Sequence, residues 1–196
     1  MNLARPLKAE IKYKNKKIRL NLAFDRVFIL LEAWKDDTLS DTEKVELCCS
    51  LLIKSKFVRL SILEKSEIVI RIFDEFLFSN KSDDKSKPSF DFEQDADYIY
   101  SAFMQTYRID LIDQRGKLDW RKFIALFQGL PENAKIREIM DIRSKKLPAP
   151  TKYNQEERQS LIKAKRAFAL KGDGQSDFQQ GLSDLFNTLK SRTKGG

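Results

Sequence analysis

The stretch between residues 89 and 148 constrains the fold most, because it reads as three short helices separated by turns. The first helix is strongly aromatic, and its apolar side chains recur at the spacing of one helical face: Ala96, Ile99, Ala102, Phe103 and Tyr107. Asp119 offers an N-cap for a second helix that stops at Gly129, and Pro131 suits the first position of a third. Three apolar faces joined by short turns need one shared core, so this block predicts a compact helical unit.

Capping signals extend the helical pattern to either side of this block. Ser40 with Glu43, and Ser61 with Glu64, each place a hydroxyl three residues before a carboxylate, which is the capping-box pattern of a helix start. A further apolar face is predicted over residues 23–34. These three helices carry more apolar side chains than any one of them can bury alone, so we expect them to pack together and onto the central block.

The segment before the first helix carries the one β signal in the chain. Apolar residues alternate on either side of a turn at residues 14–17, which predicts a β-hairpin that leans on the helices or on a partner chain. Its outer face is basic, with four lysines: Lys12, Lys14, Lys16 and Lys17. Such lysines protect a sheet edge and keep it soluble, or else they form part of a basic binding surface.

The C-terminal third is basic and ends in an amphipathic stripe. Asn154 with Glu157 predicts the start of a basic helix, whose cations include Lys163, Lys165 and Arg166. Beyond two glycines, apolar residues return at helical spacing: Phe178, Leu182, Leu185, Phe186 and Leu189. This last helix either folds back onto the protein or binds a neighbouring subunit or client protein by laying its apolar face in a groove.

These signals together predict a mainly α fold of six to eight helices with an N-terminal β-hairpin. We expect a hairpin arm over residues 1–22, a helical core over 23–147 and basic C-terminal helices with a tail over 148–196. The polar run at 79–89 is predicted to be a mobile surface loop. It is either a domain boundary or, as we favour, a connection between two halves of one domain.

The residue types exclude most catalytic chemistry. The chain contains no histidine, which removes the usual general base and the commonest metal ligand. Its two cysteines, Cys48 and Cys49, are neighbours in an apolar helix and are expected to be buried structural thiols. The acidic residues Asp91, Glu93, Asp95 and Asp97 alternate in sequence, so in a helix they point in different directions and do not form a paired catalytic site. They are expected to complement the positive end of a helix dipole instead. No phosphate-binding loop is present, so we predict a non-enzymatic protein without catalytic residues, metal or cofactor.

The formal net charge of +8 is concentrated at the ends of the chain. Residues 1–21 hold seven basic and one acidic side chain, and residues 143–196 hold twelve basic and five acidic ones. The remaining body is acidic. Basic ends flanking an acidic body suggest an acidic partner surface or a neighbour in an assembly, and nucleic acid is the competing explanation.

Four runs of the sequence resemble one phage protein family. The runs DFEQDADYIYSAFMQTYRIDLID, GKLDWRKFIALFQGL and KIREIMDIRSKKLPAPTKYN are similar to the gene product fifteen proteins of tailed phages and prophages of Gram-positive bacteria, as is LNLAFDRVFILLEAWKDDTLSDTEKVELCCSLLI before them. The resemblance covers most of residues 8–155. Such proteins are typically encoded between the major tail protein and the tape measure protein, which implies a tail assembly chaperone.

The resemblance therefore leads to one functional hypothesis, with two alternatives left open. The implied chaperone binds the tape measure protein, interacts with the major tail protein, self-associates and acts in the host cytoplasm without entering the mature virion. The first alternative is a nucleic-acid-binding accessory protein that uses the lysines of the hairpin and of residues 163–171. The second is a structural component of the tail. No membrane association is expected, since the longest apolar runs are far shorter than a membrane span.

Overall fold

The protein is described from a computed structural model, which places residues 4–54, 60–77 and 89–171. Within these ranges the chain forms one hairpin and seven α-helices: β1 (Glu10–Tyr13), β2 (Lys16–Arg19), α1 (Phe24–Lys35), α2 (Asp41–Leu52), α3 (Ile62–Ile72), α4 (Ala96–Tyr107), α5 (Trp120–Gln128), α6 (Lys135–Ser144) and α7 (Gln155–Ala167). The predicted mainly α fold with an N-terminal hairpin is therefore confirmed.

The described residues fall into two compact units. The first contains residues 4–54, 60–77 and 112–125, and the second contains residues 89–111 and 126–171. The first unit thus holds the hairpin and α1 to α3, and the second holds α4, α6 and α7. Helix α5 begins in the first unit and ends in the second. The boundaries predicted at residues 22 and 147 stay a prediction.

The hairpin is closed by a two-residue turn. Strands β1 and β2 are antiparallel, with Ile11 opposite Ile18, and both of these side chains are buried. Lys14 and Asn15 form the turn with φ angles of 41° and 61°, the left-handed conformations that suit the twist of a tight hairpin. The Tyr13 hydroxyl donates to Glu67 at 2.6 Å, which fastens the hairpin to α3.

Capping boxes begin two of the helices in the first unit. Ser40 accepts a hydrogen bond from the backbone N–H of Glu43, whose carboxylate accepts from the backbone N–H of Ser40, and Ser61 and Glu64 repeat the arrangement. Both predicted boxes are therefore present. Helix α3 ends earlier than its apolar pattern suggests, because the chain continues as a π-helical turn over Phe73–Leu77.

An aromatic cluster joins α1 to the start of α5 within the first unit. The rings of Phe24 and Phe123 stack with centroids 5.1 Å apart, and Trp120 stacks on Phe123 at 5.8 Å. The backbone N–H of Trp120 also donates to the carbonyl of Leu22 at 2.6 Å. Residues nearly a hundred positions apart therefore share one core, and each buried ring contributes about 2 kcal/mol or more.

The second unit packs α4, α6 and α7 together. Phe103 on α4 and Ile136 and Ile139 on α6 are fully buried and form its centre. Helix α4 ends at Arg108, which adopts the left-handed conformation with φ of 56°. This position is usually taken by glycine, because a side chain there is strained.

One predicted helix start and one predicted helix cap differ from the structure. Helix α6 begins at Lys135, four residues after Pro131, which lies in a turn instead. Asn154 precedes α7 but makes no side-chain cap, because its Oδ1 accepts from the backbone N–H of Thr151 and its Nδ2 donates to the carbonyl of Ala149. The asparagine therefore stabilises the loop before α7, a role that competes with helix capping.

Candidate partner-binding surfaces

The lysines of the hairpin divide into those paired within the chain and those exposed alone. Lys14 contacts the Glu64 carboxylate at 2.8 Å, and Lys17 lies 3.7 Å from Glu10. Lys12 and Lys16 are exposed and make no ion pair with any residue in the described ranges. Lys12 also lies directly opposite Lys17 across the strands, a like-charge pairing that disfavours the sheet slightly.

The pairing with Lys14 changes the titration of Glu64. The ammonium of Lys14 donates to one carboxylate oxygen and the backbone N–H of Ser61 donates to the other. These bonds favour the ionised form, the first more strongly, and they lower the pKa of Glu64 to about 2. Lys14 therefore fastens the tip of the hairpin to the start of α3, which leaves it less available for a partner.

The three basic residues predicted on the last described helix do not share one role. Lys163 and Arg166 are exposed on α7. Lys165 is half-buried, and its ammonium donates to the backbone carbonyl of Arg143 at 2.7 Å. Lys165 therefore holds α7 on α6, and two of the three predicted cations remain on the surface.

The predicted apolar stripe lies outside the described residues. Phe178, Leu182, Leu185, Phe186 and Leu189 all follow Lys171, where the described chain ends. The polar run at 79–89 also lies outside them, apart from Ser89. The stripe and the mobile loop both stay predictions.

A buried ion pair in the second unit was not predicted from sequence. The Arg143 guanidinium donates to both oxygens of the Asp95 carboxylate, at 2.5 and 2.8 Å. The Asp95 side chain is 0% exposed and that of Arg143 is 8% exposed. Asp95 therefore serves mainly as the partner of Arg143 rather than as a dipole-stabilising surface carboxylate. The two residues are 48 positions apart in the sequence, so no local pattern shows this pairing.

Arg143 and the nearby Gln94 also form hydrogen bonds with the backbone of other segments in this unit. Arg143 also donates to the backbone carbonyls of Phe168 and Ser89, at 2.6 and 3.1 Å. Beside it, Gln94 donates to the carbonyl of Ala169 and accepts from the backbone N–H of Lys171. The position at which the chain leaves α7 toward the predicted stripe is thus fixed by hydrogen bonds.

Large apolar side chains remain exposed on the first unit. At the start of α3 the exposed fractions are 37% for Ile62 and 51% for Leu63, and Ile29 on α1 is 43% exposed. Single exposed apolar residues are ordinary, but Ile62 and Leu63 are neighbours in the first turn of one helix. Ile112, at 65%, is the most exposed large apolar side chain described in this unit, and Ile62 and Leu63 form an adjacent exposed pair.

The cysteines are buried in α2, as predicted. Burial raises the pKa of the Cys48 thiol well above its ordinary value and raises the pKa of Cys49 to about 11. Such thiols stay protonated and unreactive at neutral pH. In the described ranges no group of three potential ligands among histidine, cysteine, aspartate and glutamate is placed to hold a metal ion.

Comparison with known protein families places the chain in one of them. The family described as Bacteriophage Gp15 protein matches residues 3–170. The chain belongs to this family. No curated protein and no solved structure matches the chain.

The Gp15 match covers all the secondary structure that the structure describes. Residues 3–170 include every strand and helix of the described structure, from β1 to α7, and the match ends before the predicted stripe at Phe178. The resemblance drawn from the sequence runs is confirmed, and the protein is a phage protein. No helix among the described residues has the length and apolar character needed to cross a membrane.

Proposed function

We propose that this Gp15 protein is a tail assembly chaperone that binds the phage tape measure protein without catalysing a reaction. Membership of the Gp15 family over residues 3–170 is the observation that carries the proposal. The family resemblance implies a gene placed beside that of the tape measure protein. A tape measure chain exposes long apolar helical stripes before the tail tube covers them, and such stripes aggregate unless another protein shields them.

Two features of the chain suit the shielding of apolar helices. The first is the exposed pair Ile62 and Leu63, which opens α3 beside the basic tip of the hairpin. The second is the amphipathic stripe that begins at Phe178 in the sequence. Both offer apolar side chains to a helical client, which is the mode in which one helix packs into a groove formed by others.

Truncation separates a role of the stripe in folding from a role in binding. A chain ending at Lys171 keeps the hydrogen bonds of Gln94 and Arg143 that fix the end of α7. We therefore expect truncation to leave the urea denaturation midpoint of the described units unchanged and to reduce capture of the tape measure protein. A lower midpoint with unchanged capture would assign the stripe to the protein's own core.

The proposal is tested by co-expressing the protein with the tape measure protein encoded beside it. The expected result is a higher soluble yield of the tape measure protein and its co-purification with the chaperone. Unchanged solubility would overturn the proposal. Presence of the Gp15 protein in purified virions would instead assign it to the tail structure.

A single substitution tests the contribution of the first unit. Leu63→Glu removes exposed apolar surface, and a carboxylate in the first turn of α3 favours the helix dipole while repelling Glu67 four residues on. These small effects offset, so we expect unchanged stability and weaker client capture. Thr42→Glu is the matched control, because it adds the same charge to the first turn of α2 and removes no large apolar side chain.

Ionic strength distinguishes this binding from attachment to nucleic acid. Lys14, Lys17 and Lys165 are held by contacts within the chain, which leaves fewer cations for phosphates than the sequence suggests. Apolar client binding should change little between about 50 and 200 mM salt, whereas nucleic-acid affinity should fall steeply over that interval.

A further inference from the structure

The loop between α6 and α7 presents an unusual surface. Tyr153 is 94% exposed, the highest exposed fraction among the large apolar and aromatic side chains in the described ranges. Lys145, Lys146 and Lys152 are also exposed within the same loop, and Leu147 is 38% exposed. We call residues 145–153 the basic loop. It combines three cations with a tyrosine that contributes nothing to the protein's own core.

Hydrogen bonds hold the basic loop in one conformation. The backbone N–H of Lys145 donates to the carbonyl of Asp141 at 2.8 Å. The Asn154 side chain accepts from the backbone N–H of Thr151 at 2.8 Å and donates to the carbonyl of Ala149 at 3.0 Å. Arg158 on α7 also donates to the carbonyl of Pro148. Two prolines in the loop limit its freedom further. A fixed loop loses little conformational entropy when it binds, and tyrosine is among the residues enriched at protein interfaces.

The first unit carries a surface of opposite charge. Residues 32–46, around the turn between α1 and α2, contain six acidic and two basic side chains. Glu32 and Asp37 are exposed and make no ion pair with any residue that the structure describes, whereas Lys44 is turned to the carbonyl of Trp34. We call residues 32–46 the acidic surface. It belongs to a different unit from the basic loop.

We propose that the basic loop of one copy of this protein docks on the acidic surface of a second copy. The complementary charges lie on two different parts of the same chain, so each contact joins the basic loop of one copy to the acidic surface of another. Tyr153 supplies the apolar contact, and the charges select the partner and the orientation.

Charge reversal on each surface tests the proposal with the full-length protein and no client. The variant Lys146→Glu/Lys152→Glu gives the basic loop a net negative charge, and Glu32→Lys/Asp37→Lys removes the net negative charge of the acidic surface. Each variant alone should self-associate at least about tenfold more weakly than wild type in sedimentation velocity at low ionic strength. Mixed in equal amounts they should associate again, because the unchanged basic loop of the second variant meets the unchanged acidic surface of the first. Tyr153→Ser should weaken association without altering its dependence on salt.

Each outcome decides the proposal. Failure of the mixture to restore association would overturn it, as would a wild type that stays monomeric or variants that associate normally. Loss of wild-type association after nuclease treatment would assign the basic loop to nucleic acid and also overturn it. Circular dichroism of each variant controls for folding. Tape measure solubility is measured separately, so the chaperone proposal and this contact fail independently.

Discussion

Replacing Arg143 with methionine isolates the contribution of the buried ion pair in the second unit. The guanidinium donates to both oxygens of Asp95, whose side chain is 0% exposed. Methionine fills a similar length without a charge. The substitution therefore leaves a buried carboxylate without its cation, and its remaining hydrogen bond comes from the backbone N–H of Asp91 at 2.9 Å.

The expected loss of stability follows from these contacts. Removing one partner of a buried ion pair costs about 3–5 kcal/mol, because the other charge remains desolvated. Arg143 also donates to the carbonyls of Phe168 and Ser89, and each lost hydrogen bond adds about 1 kcal/mol where water does not replace it. We expect a loss of about 4 kcal/mol, a large fraction of the stability of a typical domain.

Urea denaturation measures this loss, and two probes locate it. Both tryptophans, Trp34 and Trp120, belong to the first unit, so tryptophan fluorescence reports on that unit, whereas far-ultraviolet circular dichroism reports on helices in both. We expect the circular dichroism transition of Arg143→Met to move to lower urea. Comparing the two transitions shows whether the first unit loses stability as well.

Two control variants make the result decisive. Arg166→Met removes an exposed arginine from α7 and should change stability by no more than about 0.5 kcal/mol. Adding Asp95→Asn to Arg143→Met removes the uncompensated charge and should recover part of the loss. A loss below about 1 kcal/mol for Arg143→Met, or no recovery in the double variant, would refute the account of this ion pair.

Three further predictions concern single positions. Arg108→Gly should stabilise the protein by about 0.5–1 kcal/mol in urea denaturation, because it relieves the left-handed strain at the end of α4; a loss would contradict this. Lys14→Gln should raise the pKa of Glu64 from about 2 toward 4.5 in an NMR titration. In the wild type the ionised Glu64 contributes stability at neutral pH that is lost as the pH falls from about 4.5 to about 2. This pH-dependent contribution should be smaller in the variant. Cys48 and Cys49 should react slowly with a thiol reagent at pH 8 in the native protein and fast in urea, since burial raises both pKa values; fast native labelling would contradict their burial.

The parts of the fold that the sequence predicted depend on local signals. The capping boxes at Ser40 and Ser61 use residues three positions apart, and the hairpin uses two strands joined by a two-residue turn. The same reasoning failed at Asn154, because its side chain has two competing local uses and the loop takes both of its hydrogen bonds. A local pattern identifies a residue able to cap a helix, but it does not show which neighbour receives the bond.

The candidate surfaces were harder to predict, because pairing decides which charges remain free. Lys14 and Lys16 are equivalent in the sequence of the turn, yet Glu64 pairs with Lys14 across 50 residues. Lys163 and Lys165 are also alike in sequence, but Lys165 donates to the backbone carbonyl of Arg143 whereas Lys163 is exposed. Counting cations therefore identified basic segments correctly and overestimated how many of their charges are available to a partner.

The attachment of α7 shows how this pairing shapes the surface. None of the thirteen residues of α7 is fully buried, so its position depends on polar contacts more than on an apolar core. Lys165, Arg158 and the end of the helix each bond to backbone carbonyls or to Arg143, which uses part of the basic charge of this segment inside the unit. The cations left over, Lys163 and Arg166, are those that do not position the helix. Because the polar contacts that hold α7 also fix the loop before it, the exposed charge and Tyr153 are presented on a rigid support, which is the property that a specific protein contact requires.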